Sequence, residues 1–163
     1  VVGIDRLLTQ LQPTDWSVRA LGLGIKELNS DVLTSLSGTN RGILGELLTA
    51  REFDGVLEFR KTVFVNGRPR EIDVVADGGA TWIDVKTGAR FTLNSSNWNE
   101  LRAQASRLVE AAAHPENHVA GASPTVVYVF RGGVSDEVRQ ALVEIGARFS
   151  VRVEVRAIEE VPG

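Results

Sequence analysis

The sequence predicts a mixed α/β fold: a central sheet, part antiparallel and part parallel, flanked by helices and preceded by an N-terminal helical segment. Three observations carry this. Asn66-Gly67 stands between two alternating runs, VLEFRKTVFV and RPREIDVVA, which is the strongest short-range signal for a β-hairpin. The nearly all-apolar run TVVYVF at 125–130 has the composition of a strand buried inside a sheet. Around it lie segments with apolar residues at helical spacing, so strands and helices alternate through the second half of the chain.

Taken in order, residues 5–12 have helical spacing and Pro13 stops them. Thr14 or Asp15 can cap a second helix from about Trp16 to Leu28, because a short polar side chain there accepts an otherwise unpaired N–H. A brief helix DVLTSL follows, then a loop from Ser37 to Asn40. Residues 1–36 are therefore assigned to a helical segment packed on the core, and 37–163 to the core. From Arg41 to Phe53 the stripe Ile43, Leu47, Thr49 or Ala50, and Phe53 predicts a buried helix, with Glu46 beside the stripe. After Asp54-Gly55 the period changes to two, giving a three-stranded meander over 56–65, 68–76 and 81–88 with turns at Asn66-Gly67 and Asp77-Gly78-Gly79. The longest helix carries Trp98, Leu101, Ala105, Leu108 and Ala112 on one side. The strand 125–130, a helix capped by Ser135 and a last strand at 151–158 complete the order, and the strand–helix–strand connections make that part of the sheet parallel.

At 163 residues the chain has the size of one domain able to bury a core unaided. With 43% hydrophobic and 24% charged residues, neither a disordered nor a membrane class is indicated. The absence of cysteine removes disulfides, thiolate metal sites and a cysteine nucleophile, so any metal must sit on oxygen or histidine. No apolar run is long enough to span a membrane, and no signal pattern opens the chain, so a soluble domain acting in the cytoplasm is expected. The net charge of −3 argues against a broad basic surface for nucleic acid. An acidic metal site adds negative charge of its own, however, and a bound divalent cation reverses the local field. Methionine is absent, even at position 1, and the sequence is expected to be part of a longer polypeptide.

The meander holds the chemistry. Strict alternation puts Glu71, Asp73 and Val75 on one face of their strand, and Trp82, Asp84 and Lys86 on one face of the next. Adjacent strands lie under about 5 Å apart, so Asp73 and Asp84 can converge on one cation. Each acid sits between β-branched apolar residues, where a lone carboxylate is costly and needs a partner. A divalent cation, Mg²⁺ or Mn²⁺, suits oxygen donors of this kind. Such a site polarises a phosphate and lowers the pKa of a bound water, with Lys86 orienting that water or stabilising charge on the phosphorane. Glu46 on its helix would complete the metal shell.

Gly45-Glu46 on a helix, Glu71-Ile72-Asp73 on one strand and Asp84-Val85-Lys86 on the next resemble the PD-(D/E)XK, or restriction-endonuclease-like, nuclease superfamily. The resemblance covers about residues 40 to 130. The literal Pro-Asp is replaced by Ile72-Asp73. It implies a restriction-endonuclease-like sheet, metal-dependent phosphodiester hydrolysis in DNA or RNA, catalytic Glu46, Asp73, Asp84 and Lys86, and metal ligands Asp73, Asp84 and Glu46. It also implies polar groups reaching substrate from the helix after the lysine strand, here Gln104 and Arg107; Arg41, Lys61 and Arg90 are further candidates for phosphate contact. His114 and His118 lack a third ligand, and Tyr128 and Phe130 belong to the core. The strands, the long helix and the VSDEVRQALVEIGARF segment are also similar to toxic C-terminal nuclease domains of bacterial polymorphic and contact-dependent inhibition toxins. That resemblance implies delivery from a secreted or cell-surface parent and a cognate immunity protein over the Asp73/Asp84 cleft. The competing readings are a catalytically inert domain of the same fold that binds nucleic acid or protein, and a plain interaction domain in which Asp84 and Lys86 form only an ion pair.

Overall fold

Five strands form one mixed sheet in chain order. The computed structural model describes residues 38–50, 52–53 and 58–157, with side chains from Arg41 onward. The helices expected before residue 37, the Asp54-Gly55 turn and the last residue of the final strand lie outside the described residues. Within them the elements are α1 (Gly38–Ala50), β1 (Glu58–Val65), β2 (Arg68–Ala76), β3 (Thr81–Lys86), α2 (Trp98–Ala113), β4 (Thr125–Phe130), α3 (Asp136–Arg148) and β5 (Val153–Ala157). Among the described residues no helix is long and apolar enough to cross a membrane.

The meander is antiparallel, and β3–β4 and β4–β5 are parallel. The hairpin closes through Asn66 and Gly67, both at positive φ (51° and 77°), the backbone that a two-residue turn matched to strand twist requires. Helices cover both faces. Ile43, Leu44, Leu47 and Leu48 of α1 pack with Val74, Ile83, Val127 and Val129, while Leu101, Ala105 and Leu108 of α2 and Val138 and Leu142 of α3 pack with Val75, Trp82, Val126 and Tyr128. Neighbours such as Trp82 and Ile83 fall in opposite clusters, which is the period of two that a sheet buried on both sides imposes. Ser135 caps α3 by accepting the Val138 N–H at 3.2 Å.

Two expectations change. Helix α1 begins at Gly38, inside the expected loop, and stops at Ala50; the N–H groups of Glu52 and Phe53 turn back to the carbonyls of Thr49 and Ala50. Strict alternation also fails at Asp73: Ile72 packs toward α2 but Val74 toward α1. The partner strand flips at the same level, since Phe59 faces α1 and Val63 faces α2. Between them Arg60 has φ of 52°, a left-handed backbone that a non-glycine residue rarely adopts. One kink therefore crosses both strands, and Asp73 sits in it.

Candidate active site

Asp73 stands where β2 and β3 part. The described ladder ends at Val74 with Ile83, and one residue further Asp73 comes level with Asp84. There the Asp73 carboxylate replaces a main-chain acceptor, taking the Val85 N–H on its Oδ2 at 2.9 Å. This holds the acid against the opening between the strands. Burial, then the charge of Asp84 beside it, pushes the Asp73 carboxyl far above the ordinary carboxylate range, against the pull of the Val85 N–H. Two carboxylates this close cannot both stay charged in a poorly hydrated site unless a cation joins them.

Asp84 is half-buried and bonded to Lys86, whose Nζ lies 3.1 Å from its Oδ2. The same ammonium donates to Gln104 Oε1 on α2 at 3.4 Å. Burial pulls the Lys86 pKa down, but Asp84, and behind it Asp73 and Glu100, outweigh this and hold it above the usual value. Tyr128 is level with Asp84 on β4 and fully buried; burial first, then the charges of Asp84 and Asp73, keeps its hydroxyl protonated.

Glu46 approaches from α1. It is buried, and its Oε2 meets Arg60 at 3.3 Å. Burial pushes its pKa up to about 7 against the attraction of Arg60, and Glu71 and Asp84 add to the rise. Its Oε1 is buried with no hydrogen-bond partner among the described residues. Because Asp73 lies at the point where the strands change face, it feels Asp84 from one side and Glu46 from the other.

Among the described residues no group of three or more His, Cys, Asp or Glu side chains is arranged to hold a metal ion. The acids form a close pair, with Glu46 drawn to Arg60. The donor chemistry still fits a hard divalent cation: all oxygens, two of the carboxyls in mutual repulsion, and a third with an unsatisfied buried oxygen.

Asp84 opens into a cleft of about 230 Å³ lined also by Arg70, Glu71, Gln104, Arg107 and Tyr128. A second cleft, about 330 Å³, is lined by Asn66, Arg68, Arg70, Arg107 and Glu110. Gln104 and Arg107 thus come together with Asp84 and Lys86. Arg41 on α1, Lys61 on β1 and Arg90 in the loop after β3 line neither cleft. His114 lies against Glu116, and His118 against the Ala113 carbonyl and Ser123. Arg60 and Arg70 are participants that pattern reading missed, and Glu71, read only as part of the strand motif, lines the cleft. A signal existed: counting the hairpin register back from Asn66-Gly67 sets Arg60 opposite Asp73.

Comparison with protein-family models, with curated proteins and with solved structures finds no match to this chain.

Proposed function

We propose that the chain is a divalent-metal-dependent nuclease that hydrolyses phosphodiester bonds in DNA or RNA, on a restriction-endonuclease-like core. The observation that carries this is the Asp73/Asp84 pair in the parting between β2 and β3, with Lys86 bonded to Asp84. Asp73 and Asp84 would hold Mg²⁺ or Mn²⁺, with Glu46 behind them. The chemistry supplied by such a cation is polarisation of a phosphoryl oxygen and a lowered pKa for a nearby water. Lys86 remains an ammonium, so it serves as a fixed positive donor to the charge that grows on phosphate and not as a base. Gln104 fixes the position of that amine from α2. Val85 N–H orients Asp73, and Tyr128 closes the floor of the cleft.

The test is incubation with plasmid, linear DNA and total RNA, with and without EDTA. Mg²⁺- or Mn²⁺-dependent cutting is expected, and Asp84→Ala and Lys86→Ala should each reduce it on the order of 10²-fold or more while the fold survives. Full cleavage by either purified variant removes these roles. The ion pair between Glu46 and Arg60 favours a second reading, an inert scaffold whose third acid is already neutralised. Calorimetry separates the two: an inert scaffold releases no heat of binding with Mn²⁺, whereas the nuclease does, and loses it in Asp84→Asn.

A further inference from the structure

The two clefts share Arg70 and Arg107. They form one groove that leads from Asp84, between the β1–β2 hairpin and α2, to Asn66 and Arg68 at the hairpin turn. The register explains why arginines line this groove. Val65 pairs with Arg68 and Val63 with Arg70, and both valines are buried toward α2, so both arginines leave the strand on that face. Arg107 answers them from α2, one helical turn beyond Gln104. Among the described residues none of the three guanidiniums pairs with a carboxylate, and Arg70 donates to the neighbouring Pro69 carbonyl at 2.8 Å. Two acids also line the groove, Glu71 near Asp84 and Glu110 at the outer end. The groove thus carries three guanidiniums beside three carboxyls, Asp84, Glu71 and Glu110, in a chain of net charge −3.

We propose that this groove binds the sugar–phosphate backbone of the polynucleotide on one side of the bond to be cut, with Arg107 and Arg70 on the phosphates nearest the acid pair and Arg68 on the next one out. The inference rests on the nuclease reading and deepens it by fixing where flanking substrate lies. Guanidiniums match phosphate oxygens with two parallel N–H donors, which lysine cannot do. Two residues along a strand advance about 6.7 Å, on the scale of neighbouring phosphates in one extended strand, so Arg68 and Arg70 suit successive phosphates. The hairpin lies on one side of Asp84, and the contacts are therefore one-sided.

The experiment has two arms. Fluorescence anisotropy in EDTA, which stops cutting, measures binding of labelled single-stranded DNA, single-stranded RNA and duplex DNA; the tightest of these identifies the strand form that the groove takes. Arg68→Gln, Arg70→Gln and Arg107→Gln should each weaken binding several-fold, and the triple variant at least about 30-fold. Oligonucleotides shortened from one end should lose affinity before those shortened from the other. In the second arm, kcat/KM with Mn²⁺ is compared for an oligonucleotide and for bis(p-nitrophenyl) phosphate, which is too small to reach the hairpin. The loss in the triple variant should be at least about tenfold larger on the oligonucleotide, since only that substrate carries the extra phosphates. Equal losses on both substrates, or wild-type affinity in the triple variant, overturn the groove. If neither substrate is hydrolysed while the arginine variants still lose binding, the nuclease reading fails and the backbone site stands.

Discussion

Asp73 has two jobs that pull against each other. Its carboxylate fills a gap in the sheet by accepting the Val85 N–H, and it sets a second negative charge against Asp84 where little water can screen it. In the folded chain Asp73 is pushed to about 9 and Glu46 to about 7, both above their ordinary values of 3.8 and 4.5. The folded state therefore holds protons that the unfolded chain has released. Stability from these groups is complete below the ordinary values and drains away as pH rises through about 7 for Glu46 and about 9 for Asp73. In EDTA the melting temperature should fall by at least about 5 °C between about pH 5 and about pH 9. Mg²⁺ should restore more of it at the alkaline end. Asp73→Asn keeps an oxygen for Val85 and removes the charge, so it should melt higher than the parent in alkaline EDTA, ignore Mg²⁺ and lose cleavage. A variant that melts lower, or still responds to Mg²⁺, counts against the charge conflict placed at this residue.

At the scale of elements, the sequence announces those features that have a residue signature. Asn66-Gly67 fixed the hairpin because those two residues tolerate positive φ, and both have it. The stripe Trp98, Leu101, Ala105, Leu108 and Ala112 is buried as read, because the helical period leaves only one side for the core. The convergence of Asp73 and Asp84 was legible from strand spacing. The kink was not, since nothing in the residue type of Arg60 marks a left-handed backbone, and strict alternation therefore put Ile72 and Val74 on the same face. The start of α1 was missed for a related reason: Gly38, Thr39 and Asn40 are weak helix formers, and local preference gave no reason to extend the helix across them. The close approach after β4 was equally hidden. A Cβ on Gly132 would overlap the Gly88 carbonyl oxygen, where the loop after β3 crosses the end of β4 and Arg131 N–H binds the Lys86 carbonyl at 2.8 Å. Since backbone must move to make room, Gly132→Ala should cost about 1–3 kcal/mol in a denaturant titration. On the proposed reading it should also lower cleavage, because the displaced segment begins at Lys86. Wild-type stability in that variant would mean the two loops are not held together as described.

At the scale of the whole molecule, the acidic balance and the polyanionic substrate we propose are reconciled by position. The net charge of −3 repels a polyanion at long range, while the groove gathers Arg68, Arg70 and Arg107 at the proposed contact. Binding should then depend on salt through few contacts. Each neutralised phosphate on a single strand contributes about −0.7 to the slope of log K against log salt, so three contacts give about −2, and a fourfold rise in salt weakens binding about 20-fold. A protein that grips through six to ten phosphates loses about 10³–10⁵ over the same range. Anisotropy titrations in EDTA across a salt series measure this slope directly. A slope of about −5 or steeper would mean that a wider basic surface takes part, with Arg41, Lys61 and Arg90 the first to substitute; a slope near zero would mean that phosphates are not what the groove holds. Removing one arginine at a time should flatten the line by about 0.7 per residue, a stepwise change that a loss of folding would not produce.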